Sequence, residues 1–169
     1  MPKRGYHHGN LRQALTEAAL ELIEEKGPTG FTLSEAAKQA GVTPAAVYRH
    51  YEGREDLIAE CARQGYGIFA YLMEHAYQSG QPSALAAFEA TGRAYLAFAR
   101  RFPGHYIAMF ESGISVNRTP ELAEVANRAN AVLEKAAGDL SQHIDEQAET
   151  VTALPAEGGP PPSDGGVEE

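Results

Sequence analysis

A glycine between two short helical segments is the feature that most restricts how this chain can fold. Residues 32–40 and 43–51 both have helical composition, and only the turn around Gly41 separates them. Glycine takes positive φ values without the steric cost that side chains impose, so the chain can reverse direction there. Thr43 and Pro44 then favour a new helix, because a hydroxyl caps the first turn and proline needs no amide partner in it. The pattern predicts a helix-turn-helix, although glycine corners between helices also occur as purely structural elements.

Helical periodicity continues on both sides of this motif, and no convincing strand pattern occurs. Asn10 is the predicted N-cap of a first helix, whose apolar stripe from Leu11 to Ile23 ends before Gly27 and Pro28. In the motif itself, Thr32 with Glu35 matches a capping box. Val47 and Tyr51 are predicted to face inward from the third helix, which we expect to span 43–51.

The second half of the sequence predicts four more helices. The first is long, from Arg54 to about Ser79, and its Gly65 and Gly67 indicate a bend or a close crossing. The others are a helix ending near Arg101, a short one over 103–112, and one that starts at Thr119-Pro120 and reaches about Glu149. Four prolines, four glycines and four acids lie between Pro155 and Glu169, which predicts a disordered tail.

We therefore expect an all-α protein in which a three-helix, helix-turn-helix domain is joined by a long helix to a helical effector-binding and dimerisation domain. The predicted divisions are residues 1–56, 57–150 and, for the disordered tail, 151–169. The sequence has neither an apolar run of membrane-spanning length nor a signal segment at its start, which predicts a cytoplasmic protein without membrane contact. With a single cysteine, Cys61, no disulfide within the chain and no cysteine metal site are expected.

The formal net charge of −9 argues at first against a nucleic-acid partner. Its distribution permits one, because residues 1–54 carry seven basic and six acidic side chains, while residues 55–169 carry seven basic and 17 acidic ones. An acidic body away from the binding end would suppress unspecific attraction to polyanions. We find no glycine-flanked nucleophile and no phosphate-cradling glycine loop, so the sequence does not indicate an enzyme, and no cofactor or metal is predicted.

The side chains of the third predicted helix favour DNA as the partner. Thr43, Tyr48, Arg49 and His50 lie on this short helix and can donate hydrogen bonds to phosphate oxygens, and Arg54 starts the next helix. Small residues at 44–46 allow the helix backbone to approach base edges and thymine methyl groups in the major groove.

The sequence from Thr32 to Leu57 resembles the DNA-binding domain of tetracycline-repressor (TetR) family regulators. The similarity is carried by Ala40-Gly41-Val42-Thr43, by Tyr48, His50 and Tyr51, and by Arg54, Glu55 and Leu57. Base contacts are implied for Pro44, Ala45, Ala46 and Arg49. Phosphate contacts are implied for Thr32, Ser34, Thr43, Tyr48, His50 and Arg54. Lys3 and Arg4 resemble basic arms that reach the minor groove.

The segments Tyr6–Arg12 and Phe102–Tyr106, with Met109 and Phe110, resemble a TetR subgroup whose C-terminal domain carries a Trp-His-Gly motif (WHG type). The family resemblance implies a homodimer on a palindromic operator, released by a small-molecule effector, and two dimerisation helices after residue 150. The sequence departs from both patterns, since it contains no tryptophan and has the proline- and glycine-rich stretch there. The alternative is therefore a helical interaction module, or a truncated regulator without full dimerisation helices.

An effector pocket is typically apolar with few polar groups, and the second half of the chain supplies suitable side chains, although each of them also fits an ordinary core. Glu111 and Arg93 are candidate polar anchors. The predicted pocket residues are Tyr66, Phe69, Met73, Phe88, Tyr95, Tyr106, Met109 and Phe110.

Overall fold

A computed structural model describes residues 8–153 of the chain, with side-chain environments from Asn10 onward. These residues form an all-α fold of seven helices, as predicted. The helices are α1 (His8–Lys26), α2 (Leu33–Ala40), α3 (Pro44–Tyr48), α4 (Arg54–Gly80), α5 (Ala84–Arg101), α6 (Pro103–Phe110) and α7 (Pro120–Ala153). The prediction of a disordered tail from Pro155 onward concerns residues outside the described range.

The first helix begins earlier than the sequence pattern indicates. Asn10 lies inside α1 rather than at its cap, because the backbone is already helical at His8. An N-cap residue needs a non-helical backbone. The predicted apolar stripe is correct: Leu11, Leu15, Leu22 and Ile23 are all buried.

Two further boundaries differ from the prediction. The helix over 103–112 ends at Phe110, where the Ser112 hydroxyl donates to the Ala108 carbonyl and Gly113 takes a φ of 75°. α7 continues through 151–153, which were assigned to the tail. No helix breaker precedes Pro155, and the Thr150 and Thr152 hydroxyls donate to carbonyls one turn back. The Thr119 hydroxyl caps α7 as predicted, accepting from the Leu122 amide at 3.2 Å.

The long helix α4 is the centre of the fold and packs against α1, α5, α6 and α7. Gly65 marks the predicted close crossing, since a Cβ atom there would lie 2.5 Å from the Met109 sulfur on α6. Gly67 has nothing within 4 Å of such an atom and marks no crossing. The two glycines thus differ, because only one of them faces α6.

One large apolar core links the N-terminal to the C-terminal helices, and a small separate cluster holds Tyr77, Ala87 and Ala136. The large core joins Leu15 and Phe31 of the N-terminal helices to Phe69 of α4 and Leu122 of α7 without interruption. The division at residue 56 stays a prediction, and apolar packing is continuous on either side of it. Ion pairs add to this packing at the surface, such as Arg128 with Glu74 at 2.6 Å between α7 and α4.

Candidate nucleic-acid interface

The turn between α2 and α3 has the geometry that the glycine predicts. Gly41 takes a φ of 72° and a ψ of 29°, in the left-handed region. Its amide donates to the Lys38 carbonyl at 3.2 Å, and the Val42 amide donates to the Ala37 carbonyl at 3.0 Å. This pair of bonds is a Schellman motif, which ends α2 and reverses the chain. The orientation of α3 relative to α2 is thus set by backbone hydrogen bonds rather than by flexible side chains.

The start of α3 is capped as predicted, but the helix ends earlier than predicted. The Thr43 hydroxyl accepts from the Ala46 amide at 3.3 Å, and Pro44 occupies the first turn. Regular helix stops at Tyr48 rather than at residue 51. The amides of His50 and Tyr51 both donate to the Val47 carbonyl, at 2.9 and 3.0 Å, so one tightened turn carries the backbone to Tyr51.

The helix-turn-helix separates an inward from an outward face. Val47 is fully buried and Tyr51 is 7% exposed, so both anchor α3 to the core as predicted. Tyr48 is 56% exposed although it is a large aromatic residue, and Arg49 and His50 beside it are also exposed. Because α3 is held by its inner face, its polar outer face is presented to solvent on a fixed support.

The predicted base-contact residues follow the same division. Pro44, Ala45 and Arg49 are exposed, while Ala46 is half-buried and packs partly against the core. No ion pair involves Arg49 among residues 8–153, which leaves its guanidinium available to an external acceptor. Thr32 and Ser34, at the start of α2, are exposed as well. Thr32 also caps α2 by accepting from the Glu35 amide at 3.1 Å, which confirms the first half of the predicted capping box.

Arg54 has a structural task that sequence reasoning missed. Its Nη1 atom donates to the carbonyls of Thr29 and Phe31, at 2.9 and 3.0 Å, and its Nε atom is buried. These bonds tie the first residue of α4 to the loop that precedes α2. A phosphate contact by Arg54 stays a prediction, and it would have to use the rest of the guanidinium.

The start of α4 carries two carboxylates, Glu55 and Asp56, and both bind Arg118 from the segment before α7. The Arg118–Asp56 distance is 2.7 Å, and this hydrogen bond lowers the pKa of the Asp56 carboxyl. Asp56 also accepts from the Glu52 amide at 2.9 Å. The negative charge of these two carboxylates at the first turn of α4 disfavours the binding of a phosphate to the α4 amides. Lys3 and Arg4, the predicted minor-groove arm, lie outside the described residues.

A second contact between the two halves was also missed. The Gly104 amide at the start of α6 donates to the Glu24 carboxylate of α1 at 3.1 Å. Glu24 lies off the apolar stripe of α1, so no sequence signal marks it. α6 is therefore joined directly to α1, which packs on α2 of the helix-turn-helix. α6 also packs alongside α4.

The predicted effector residues divide into two groups. Seven of them are packed together in the interior or at its edge, with Phe110 in contact with Tyr66, Phe69, Tyr95 and Tyr106 at ring-centroid distances of 5.0–6.2 Å. Phe88 lies elsewhere: with Tyr95 it lines an open groove of about 530 Å³ between α5 and α7. The two candidate polar anchors belong neither to the aromatic cluster nor to the groove lining. Arg93 pairs with Glu89 at 3.7 Å, and Glu111 is exposed.

The fold and the exposed α3 define the class of a helix-turn-helix protein, and sequence comparison identifies the family. Residues 15–61 match the family model described as bacterial regulatory proteins of the tetR family. Residues 88–156 match the model described as a tetracyclin repressor-like C-terminal domain. Both models describe the tetR family, and the chain belongs to that family, while the WHG subgroup is not confirmed.

Individual relatives agree with this assignment. The chain is 38% identical over 63 residues to the HTH-type transcriptional regulator BetI of Rhizobium meliloti, which covers 37% of this chain and 30% of that protein. It is similar to the structure of a protein of unknown function from Rhodococcus sp. RHA1, with a TM-score of 0.67, 25% identity and coverage of 83% and 73% of the two chains. A TetR family regulator from Marinobacter aquaeolei shares the fold, with a TM-score of 0.64, 21% identity and coverage of 80% and 70%.

The aligned segments span between 22% and 51% of the length of the curated relatives. Within residues 8–153, no helix is both long and apolar enough to cross a membrane. In the same range, no three His, Cys, Asp or Glu side chains are grouped so that they could hold a metal ion.

Proposed function

We propose that this protein is a repressor that binds a palindromic operator as a homodimer and is released by a small-molecule effector. The observation that carries the DNA-binding part is the two-sided segment formed by α3 and the turn after it, with Val47 and Tyr51 buried and Tyr48, Arg49 and His50 exposed. In this arrangement Pro44, Ala45 and Ala46 face the bases and Arg49 donates to a base edge. Thr32, Ser34, Thr43, Tyr48 and His50 contact phosphates on either side.

Selection of bound sequences from random double-stranded DNA tests this proposal. We expect a palindrome whose half-sites are centred about 10 base pairs apart or a multiple of that, because two recognition helices of a dimer lie about 34–36 Å apart on one face of DNA. The control is Arg93→Ala, which removes the same charge from α5 and leaves α3 intact. Selection of no common sequence by the wild-type protein would refute the proposal.

The effector site that we propose is the aromatic cluster formed by Tyr66, Phe69, Tyr95, Tyr106 and Phe110. Phe110 is 41% exposed and sits against the four other rings, stacked on Tyr95 and edge-on or tilted to the rest, so a flat apolar molecule that replaces its ring gains the same aromatic contacts. Phe110 is the last residue of α6, and the first turn of that helix is bonded to Glu24 of α1. Displacement of Phe110 therefore moves α6 against both α1 and α4, and with them the position of α3.

A thermal-shift screen of planar aromatic compounds identifies ligands, and operator release by the same compounds identifies effectors. With Glu24→Ala, we expect a ligand to keep its stabilising effect but to release less DNA, because the link from α6 to α1 is cut. Glu25→Ala is the matched control, since Glu25 is the exposed neighbour and, among the described residues, forms no hydrogen bond or ion pair with α6. Equal release by both variants would contradict the coupling route.

A further inference from the structure

A small polar cavity lies where α1, the turn after α3, the first part of α4 and the segment before α7 meet. Its volume is about 170 Å³, well above the roughly 10–15 Å³ that one water molecule needs, so it has room for a small ligand. The charged side chains in its lining are the arginines Arg12, Arg63 and Arg118 and the carboxylates Asp56 and Glu60. The function proposed above leaves this cavity unused.

The two carboxylates of the cavity are already bound to arginine. Both oxygens of Glu60 accept from Arg63, at 2.7 and 2.9 Å. Asp56 accepts from Arg118 at 2.7 Å, and the same guanidinium also bonds to Glu55 at 3.3 Å. The acceptors of the lining are therefore largely occupied, and so are two of its three cations.

Several donors of the lining are still available. The side chains of Arg12 and His50 are exposed, and neither makes a hydrogen bond or an ion pair within the described part of the chain. The Thr119 hydroxyl accepts from the Leu122 amide, which leaves its own hydrogen to donate. The cavity thus offers hydrogen-bond donors from α1, from the turn after α3 and from the segment before α7.

Tyr51 provides a separate observation that points to a ligand. The residue is only 7% exposed, and its hydroxyl is buried without a hydrogen-bond partner among the described residues. The charges that act on this hydroxyl include those of Arg12, Glu60 and Arg63, which line the same cavity. Burial, with a smaller effect of Glu60, raises the pKa of Tyr51 to about 12, so the hydroxyl keeps its proton at neutral pH. An unpaired buried hydroxyl is uncommon in native proteins, because it costs the full desolvation of the group.

This set of groups selects the chemistry of the ligand. A guanidinium, an imidazole and two hydroxyls can donate together to the oxygens of one anion, and the bond from the charged guanidinium is the strongest of them. A cation would find both carboxylates of the lining already paired with arginine. An apolar molecule would bury the donors without acceptors.

We propose that this cavity binds a small oxyanion, either inorganic phosphate or a small organic carboxylate, through Arg12, His50 and the hydroxyls of Tyr51 and Thr119. The bound anion connects α1 and the turn after α3 with the segment before α7. The site shares no residue with the aromatic cluster proposed for the effector. Its occupation can be measured without DNA, so it does not depend on the proposed function.

Titration of the full chain with inorganic phosphate, and separately with malonate, tests the proposal at an ionic strength held constant with chloride. Histidine side-chain NMR signals report the binding. We expect saturable shifts of the His50 signals, with a Kd of about 1 mM for the preferred anion. The signals of His143, on the exposed end of α7, should not move. The same anion should raise the thermal unfolding temperature, because it binds only the folded state.

Two variants remove single donors of the site. Arg12→Gln should weaken anion binding by at least about tenfold, because a charged donor is lost. Tyr51→Phe should weaken it by about three- to tenfold. Without the anion, Tyr51→Phe should unfold at the same or a higher temperature than the wild type, since the hydroxyl has no bond to lose. The matched controls are Arg93→Gln and Tyr71→Phe, which change exposed residues of α5 and α4 and should bind the anion like the wild type.

Three results would overturn the proposal. The first is the absence of saturable binding of either anion by the wild type, and the second is equal binding by Arg12→Gln, Tyr51→Phe and the wild type. The third is a weaker binding of DNA by Arg12→Gln when neither free anion binds, because Arg12 would then serve the DNA backbone. Selection from random DNA separates the two proposals: a protein that binds the anion but selects no sequence refutes only the proposed function.

Discussion

The guanidinium groups of Arg49 and Arg54 have opposite surroundings, although both residues border the same turn. Arg49 is exposed and makes no ion pair within residues 8–153, whereas Nη1 of Arg54 is bonded to two backbone carbonyls. The first is free to contact DNA, and the second holds the start of α4 against the loop before α2. The same substitution at the two positions should therefore have different effects.

Arg49→Ala should relax base preference at one position in each half-site. We expect a loss of about 1–3 kcal/mol in binding to the selected operator, and little loss on operators that already carry a wrong base at that position. Competition binding against single-base operator variants measures this pattern. Equal weakening on every sequence would instead indicate a phosphate contact.

Arg54→Ala should destabilise the fold by about 1–3 kcal/mol, because the carbonyls of Thr29 and Phe31 lose their shared donor in a partly buried place. Urea unfolding measures the loss, with Arg49→Ala as a control of the same residue type. If both variants unfold at the same urea concentration as the wild type, the bonds of Arg54 contribute nothing to stability.

At the scale of elements, the recognition helix depends on the turn that precedes it. α3 is only five residues long. Its position comes from the Schellman motif at Gly41, the Thr43 cap and the burial of Val47. A helix this short has no independent stability. Its presentation to DNA is thus a property of the whole motif.

Gly41→Ala should cost about 1–2 kcal/mol, since alanine is strained at a φ of 72°. The matched control is Gly67→Ala on α4, where an added Cβ atom meets nothing within 4 Å and helix propensity should raise stability by roughly 0.5–1 kcal/mol. Thermal unfolding of the two variants should give shifts of opposite sign. A stabilised Gly41→Ala variant would show that the turn relaxes to another conformation.

For the molecule as a whole, the main finding is a single core that joins the DNA-binding helices to the C-terminal helices. α6 is central to this continuity, with Gly104 bonded to Glu24 of α1 and Met109 against Gly65 of α4. His105, between these contacts, has a buried Nε2 atom with no hydrogen-bond partner in the described part of the chain. Burial lowers the pKa of His105.

This lowered pKa predicts a loss of stability in mild acid. In the unfolded chain the imidazole has a pKa of about 6.5, so below that pH the unfolded state binds a proton that the folded state resists. The contribution of neutral His105 is fully present above the unfolded value and is lost as the pH falls through the lower folded value. The free energy of unfolding, measured by urea titration between pH ~7.5 and ~5.5, should fall less steeply with acid in His105→Gln.

The control for this prediction is His143→Gln on α7, where the imidazole is exposed. It should leave the pH dependence of the wild type unchanged. An equal slope in the wild type and His105→Gln would show that another group is responsible.

Local sequence signals were sufficient for most of the elements and for the helix-turn-helix. Hydroxyl caps at Thr32, Thr43 and Thr119 and the positive φ of Gly41 act within a few residues, so they can be identified before the fold is known. The division of α3 and its following turn into an inner face, with Val47 and Tyr51 buried, and an exposed outer face follows from helical periodicity for the same reason. Boundaries without such signals, at His8 and Ala153, were missed.

Only the tertiary structure could decide the contacts between distant segments. The bonds of Arg54 to Thr29 and Phe31, and of Glu24 to Gly104, join residues far apart in sequence through groups that carry no periodic signal. The division of the predicted effector residues between an aromatic cluster and the α5–α7 groove has the same origin, because an aromatic side chain suits either place until its neighbours are known. Caps, turns and periodicity thus determined which helices form. The packing of α4 against its neighbours determined what their surfaces can bind.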